Sequence, residues 1–142
     1  MKISKDAIAA LREHALRAAA SAYAPYSGIH VGAAILASDG NIYTGCNVEN
    51  GSYGLTVCAE RNAIATAVRA IAGDRASLIR AIYIESPNAS AGKKPVLKMI
   101  PPCGACRQVI SEFGKGGLVF FPGTKGVKKL KVSDLLPEAF QL

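Results

Sequence analysis

The amino-acid sequence predicts an α/β fold: a three-layer α/β/α sandwich built on a mixed central β-sheet. Three observations predict it. A β-hairpin pattern stands early in the chain, stretches of helical and strand periodicity alternate after it, and 142 residues suffice for one packed core but not two. Half the residues are apolar and 19% are charged, the balance of a globular chain. One domain is therefore expected to span residues 1–142.

Ser4 is placed to cap a first helix, in which Ile8, Leu11, Ala15, Ala18 and Ala22 recur at helical spacing. Ala24-Pro25-Tyr26-Ser27-Gly28 breaks it. Val31 to Ala37 reads as a buried strand, Asp39-Gly40 as a hairpin turn, and Ile42 to Val48 as the returning strand. From Cys58 the pattern is helical, with Ala63, Ile64, Ala67, Val68 and Ile71 on one side and Gly73 as the stop. Ile79 to Ile84 is a third strand, and Asn88 to Lys94 a polar loop. Pro102, in a first-turn position, introduces a helix from Cys103 to about Phe113 that Gly114 ends. Leu118 to Phe121 is a fourth strand, and Val132 to Leu136 a fifth element of unassigned type.

Composition excludes some functions. No apolar run is long enough to span a bilayer, and the N-terminus lacks a secretory pattern, so the expected compartment is the cytoplasm. The net charge of +7 permits nucleic-acid binding. Its positives are scattered, however, apart from Lys93-Lys94 and the group Lys125, Lys128, Lys129 and Lys131. No aromatic residues are interleaved there, which favours a solvated face over a stacking platform.

Chemistry concentrates in two short groups, Cys58-Ala59-Glu60 and Pro102-Cys103-Gly104-Ala105-Cys106, each at the start of a predicted helix. Unpaired amides and the macrodipole at that position favour thiolate, the form that binds zinc. Cys103 and Cys106, three apart, can face one ion. Three ligands leave a tetrahedral zinc one open position, where water becomes acidic enough to react near neutral pH. Glu60 stands ready to handle its proton. One ligand, then a non-ligating Glu, then Pro-Cys-x-x-Cys is the general signature of zinc deaminases. Three thiolates over-neutralise the ion, and Arg61 and Arg107 are placed to withdraw that charge. Two rivals remain at this point. Cys103 and Cys106 could be a redox pair, which leaves Cys58 and Glu60 without a role. Cys46 could close a four-sulfur structural site, which leaves Glu60 unexplained.

With these groups in place, the chain resembles the small homotetrameric cytidine deaminases. The likeness also runs through Ala22-Tyr23-Ala24-Pro25-Tyr26-Ser27, Val31-Gly32-Ala33-Ala34, Gly45-Cys46-Asn47-Val48-Glu49-Asn50, Cys58-Ala59-Glu60-Arg61, Pro102-Cys103-Gly104-Ala105-Cys106-Arg107-Gln108 and Leu135-Leu136-Pro137-Glu138-Ala139-Phe140. The resemblance implies a cytidine deaminase-like fold and one zinc per subunit on Cys58, Cys103 and Cys106. Zinc-bound hydroxide would attack C4 of cytidine or deoxycytidine, with Glu60 as proton shuttle and ammonia as leaving group, in pyrimidine salvage. It further implies that the Ala59 backbone binds the base, that Asn47 and Glu49 grip the ribose, notably its 3′-hydroxyl, and that Tyr53 and Phe140 reach a neighbouring subunit's pocket.

Asn47 and Glu49 are expected to point to one face of a strand. A carboxylate on the 3′-hydroxyl leaves no room for a continuing phosphate backbone. Free nucleoside is thus favoured over a polynucleotide base or nucleotide. Ile29 stands where the family usually has an aromatic, His30 where proline is frequent and Asn62 where threonine is common. These departures bear on substrate range, including modified cytosine nucleosides, and leave the zinc chemistry intact.

Overall fold

The computed structural model describes residues 2–90 and 97–142. Helix α1, Lys5–Ala19, begins where the Ser4 hydroxyl accepts a hydrogen bond from the Ala7 amide at 3.1 Å. Leu11, Ala15 and Ala19 are its buried positions. The core stripe thus runs through Ala19 rather than Ala18, and the helix ends before Ala22. Strands β1, Gly32–Ala37, and β2, Ile42–Cys46, form the expected hairpin around Gly40, whose φ of +86° suits a residue without a Cβ.

Helix α2, Ala59–Ala70, has Cys58 at its N-cap and ends on Ile71, with Gly73 (φ +90°) two residues further on. Strand β3, Ile79–Glu85, is followed by the short helix α3, Pro87–Ser90. A loop was expected from Asn88; its part from 91 to 94, with the Lys93-Lys94 pair, lies outside the described residues. Helix α4, Gly104–Phe113, is capped by Cys103, so Pro102 precedes the cap instead of entering the first turn. Strand β4, Leu118–Gly123, pairs with β5, Gly126–Lys131, and α5, Val132–Leu135, follows. Strand β5 has no counterpart in the sequence reading. Its lysines face water on an edge strand that buries almost nothing, so no alternation announces it.

The sheet order is β2-β1-β3-β4-β5, with β3 and β4 parallel and the other pairs antiparallel, as a mixed sheet requires. The period-two alternation of the strands sorts their side chains into two cores. Ala34, Ala81, Tyr83, Leu118 and Phe120 pack with Leu11 and Ala15 of α1. Ala33, Ile35, Ile82, Ile84, Val119 and Phe121 pack with Ala59, Ala63, Ile64 and Ala67 of α2 and Cys106 and Ile110 of α4. One helix covers one face and two cover the other, giving the three layers.

Two glycines allow this close stacking. A Cβ on Gly32 would stand 1.8 Å from the Ala15 carbonyl oxygen of α1. One on Gly45 would stand 2.3 Å from the Ala63 nitrogen and 2.7 Å from the Ala59 carbonyl oxygen of α2. The first turn of α2 therefore lies directly on the end of β2. A hydrogen bond from Asn62 Nδ2 to the Cys46 carbonyl, 2.8 Å, fastens the two together.

Candidate active site

The N-termini of α2 and α4 meet, and with them the three cysteines. The Sγ atoms of Cys58, Cys103 and Cys106 all lie within 4.8 Å of one another. Those of Cys58 and Cys103 are 3.8 Å apart. Two thiolates about 2.3 Å from one tetrahedral zinc would stand roughly 3.8 Å apart, so this donor set fits zinc in chemistry and spacing. Neither Cys58 nor Cys103 uses its side chain to cap its own helix, which leaves both sulfurs available. Cys46 is not in the sulfur group found among the described residues, so a four-sulfur structural site has no support here. Cys46→Ser is accordingly expected to keep a full complement of zinc by elemental analysis, whereas Cys106→Ser is expected to lose it. Zinc lost from the Cys46 variant would restore the structural-site reading.

The electrostatics follow from burial and hydrogen bonding. The Cys58 thiol is pushed down to about 5, first by its hydrogen bond with Cys106, then by Arg61 and Cys103, and against the cost of burial. Cys106, on the other side of that bond, is pushed up by Cys58 and by its burial. Glu60 is only 4% exposed, in the first turn of α2. Burial raises its carboxyl to about 7, with repulsion from Cys58 adding to the rise. A carboxyl group poised near neutrality can both accept and return a proton.

The two arginines divide. Arg61 Nη2 lies 4.0 Å from Cys58 Sγ and donates to the Thr56 carbonyl at 3.0 Å, as charge withdrawal from sulfur requires. Arg107 does not share that role. Its Nε donates to the Pro102 carbonyl at 2.9 Å and its Nη1 to the Leu135 carbonyl at 3.1 Å. The fork of its guanidinium tethers α5 to the turn before α4. Adjacency in sequence to Cys106 does not fix where so long a side chain points.

Asn47 and Glu49 share one side of the chain, as expected, but not within a strand. Strand β2 ends at Cys46, and beyond it only Val48 forms isolated bridges, to Tyr23 and Val57. The two side chains instead hold the segment from Tyr26 to Val31. Asn47 Oδ1 accepts from the Val31 amide and its Nδ2 donates to the Ile29 carbonyl, both at 2.8 Å. Glu49 Oε1 accepts from the Tyr26 and Ser27 amides at 3.0 and 3.1 Å, and Oε2 accepts from the Ser27 hydroxyl at 2.5 Å. The Ser27 hydroxyl, followed by these amides, holds the Glu49 carboxyl below the usual carboxylate range. One amide proton of Asn47 and further lone pairs of Glu49 remain for a ligand.

Ile29 sits in that clamped segment, partly buried. Ala59 is buried in the first turn of α2 beside Glu60. Tyr53 and Phe140 are 74% and 68% exposed. Tyr53 meets Tyr26 edge-on, with ring centroids 5.9 Å apart. The Phe140 carbonyl is held by Gln108 Nε2 at 3.1 Å. Sequence reasoning missed the Ser27 hydroxyl that meets Glu49, the Thr56 carbonyl that takes Arg61, and Ser86 and Asn88, which hold the His30 backbone. Small polar side chains bonding to backbone carry no periodic signal, although Ser27 stood within a quoted motif.

Two open cavities lie away from the sulfurs. One, of about 760 Å³, is lined by residues such as Ser111, Glu112, Lys115 and Leu136; the other, of about 580 Å³, borders Lys129 and Lys131.

A mixed sheet that presents a three-thiolate metal site and a buried carboxyl at two helix N-termini defines a zinc-binding enzyme domain. Residues 5–121 match the family described as the cytidine and deoxycytidylate deaminase zinc-binding region. The chain is 44% identical over 132 residues to a cytidine deaminase of Mycobacterium tuberculosis, covering 93% of this chain and 88% of that protein. It is 42% identical over 126 residues to one from Sporosarcina psychrophila, covering 87% and 84%. A crystal structure of a cytidine deaminase from Burkholderia pseudomallei superposes with a TM-score of 0.79 at 42% identity, covering 97% of this chain and all of that one. The chain belongs to the zinc-dependent cytidine deaminase family.

Proposed function

We propose that this protein hydrolyses cytidine and deoxycytidine to uridine and deoxyuridine with release of ammonia. The observation that carries the reading is the pairing of three converging sulfurs with the buried carboxyl of Glu60 in the adjoining helical turn. Relatives bearing the name cytidine deaminase over nearly the whole chain support it. Cys58, Cys103 and Cys106 would hold the zinc, which when bound supplies Lewis acidity that lets water react at neutral pH.

Glu60 does the proton work. It takes a proton from the attacking water and delivers it to N3 of the pyrimidine as oxygen bonds to C4. It then takes the second proton from that oxygen and gives it to the amino group, so ammonia leaves and the C4 carbonyl forms. Burial serves both transfers, because a carboxyl near 7 is neither too weak a base nor too weak an acid. The Ala59 backbone, in the same turn, is suited to bind the base. Arg61 would draw charge from Cys58 and keep the centre electrophilic.

Asn47 and Glu49 would grip the ribose with the donor and lone pairs left free by their loop contacts. A carboxylate there repels phosphate, so the substrate is a free nucleoside rather than a nucleotide or nucleic acid. The exposed Tyr26, Tyr53, Leu55 and Phe140 are apolar surface that a neighbouring subunit would cover, which supports a homotetramer with shared sites. We read residues 1–142 as one domain, acting in the cytoplasm in pyrimidine salvage. Among the described residues no helix is long and apolar enough to cross a membrane.

The test is the fall in ultraviolet absorbance of cytidine with zinc-loaded protein, run beside deoxycytidine and a single-stranded oligonucleotide. Turnover of the two nucleosides, lost on dilution to monomers, is expected. Turnover of the oligonucleotide alone would overturn the free-nucleoside reading.

A further inference from the structure

We infer that Asn88 is a positioning residue for the sugar-binding pair Asn47 and Glu49, acting through the backbone of residues 26–31. The inference rests on the nucleoside-deaminase reading above.

The hydrogen bonds of that segment carry the case. Every backbone N–H from Tyr26 to Val31 is donated. Tyr26 and Ser27 donate to Glu49, Gly28 to the Ala24 carbonyl, Ile29 to the Ser27 hydroxyl, His30 to Asn88 Oδ1 and Val31 to Asn47 Oδ1. Asn47 and Glu49 therefore hold the segment from one side. From the other side, Asn88 Oδ1 accepts from the His30 amide at 2.9 Å, and the Ser86 hydroxyl donates to the His30 carbonyl at 2.5 Å. The Asn88 amide in turn donates to Ser86 Oγ at 3.1 Å.

This anchor is rooted in the sheet. Ser86 follows β3 directly and is fully buried, and its amide donates to Glu85 Oε1 at 3.0 Å. Glu85 Oε2 accepts from Arg12 Nε of α1 at 2.9 Å. His30 is thereby pinned to a rigid platform between two layers of the fold. Its neighbours are the two atoms that orient the Asn47 carboxamide: the Ile29 carbonyl, which takes one amide proton, and the Val31 amide, which donates to Oδ1. With those two contacts fixed, the remaining amide proton of Asn47 has one direction. Asn88 thus sets where the donor for the sugar points without touching the sugar. None of these bonds involves α2, the sulfurs or Glu60, so the consequence is expected in binding and not in the chemical step.

Asn88→Ala removes an acceptor from a half-buried amide, which predicts a rise in KM for cytidine of about tenfold. The turnover number should stay within about twofold and the zinc content unchanged. Asn88→Asp keeps an oxygen opposite the His30 amide and should restore KM. Asn88→Ser, too short to reach it, should behave like the alanine variant and serves if that variant folds poorly. With 2′,3′-dideoxycytidine, which lacks the 3′-hydroxyl, the Asn88→Ala penalty should vanish.

A turnover number that falls in step with kcat/KM, an equal penalty on the dideoxynucleoside, or an Asp variant no better than Ala would overturn the inference. So would an unmoved KM in Asn88→Ala when Asn47→Ala raises it. If Asn47→Ala and Glu49→Ala also leave KM unmoved, or the parent does not turn over cytidine, the underlying functional reading has failed and the inference falls with it.

Discussion

Glu60→Gln is expected to retain its zinc and to lose at least about four orders of magnitude in kcat. A single acid–base group is ordinarily worth about 10²–10⁴-fold. The upper end applies because the same carboxyl must act twice, once toward N3 and once toward the leaving amine. Glutamine keeps the shape of the side chain but can neither take up nor give back a proton. The metal should be undisturbed, since Glu60 is not among the three converging sulfur donors. Single-turnover kinetics with zinc quantified in the same sample provide the measurement. A zinc-replete glutamine variant with near-parental turnover would remove Glu60 from the chemistry.

The same substitution has a second readout in stability. With the metal withdrawn by a chelator, a carboxyl raised from 4.5 to about 7 ionises in the unfolded chain before it ionises in the folded one. Its folded pKa lies above the unfolded value, so stability falls as pH rises from about 4.5 to about 7 and stays lowered beyond. The difference corresponds to about 3 kcal/mol at most. Metal-free Glu60→Gln should therefore unfold at higher denaturant than the metal-free parent at pH 8, and at the same concentration at pH 4. Parallel stability curves across that range would count against the buried carboxyl.

How much of this was legible in the sequence depends on what each residue's signal is made of. Helices α1, α2 and α4 and the inner strands were readable because burial imposes a period, as Leu11 and Ala15 show on α1 and Ile82 and Tyr83 show on β3. The metal centre was readable because thiolate chemistry at helix starts demands cysteines at fixed spacing. Strand β5 was not, since an edge strand of exposed lysines has no apolar face to betray it. Arg107 was misplaced because a long side chain next to a ligand can reach several carbonyls. The alternation across Asn47 and Glu49 put both side chains on one side of the chain, as their shared contacts with residues 26–31 show, but not within a strand. The chain leaves the sheet at Cys46, and it is hydrogen bonding to the 26–31 segment that brings the two side chains to one place.

Gly45→Ala is the structural counterpart of the Glu60 experiment, and its expected effect falls on stability, metal binding and rate together. The new methyl carbon would stand 2.3 Å from the Ala63 nitrogen, 2.7 Å from the Ala59 carbonyl oxygen and 2.8 Å from the Asn62 carbonyl carbon. All three are backbone atoms, so no side chain can swing aside, and β2 must part from α2. Overpacking of this kind costs about 1–3 kcal/mol. The displaced turn carries Cys58, Ala59 and Glu60, while Cys103 and Cys106 stay on α4. The sulfur triangle and the carboxyl are thus pulled out of register together. A misplacement of roughly 1 Å can cost about a hundredfold in rate, and weaker zinc binding should accompany it. Thermal unfolding, zinc affinity by competition with a chelator, and kcat should all fall together. If Gly45→Ala lowers stability while zinc affinity and turnover stay intact, the contact between β2 and α2 is packing alone and does not set the geometry of the site.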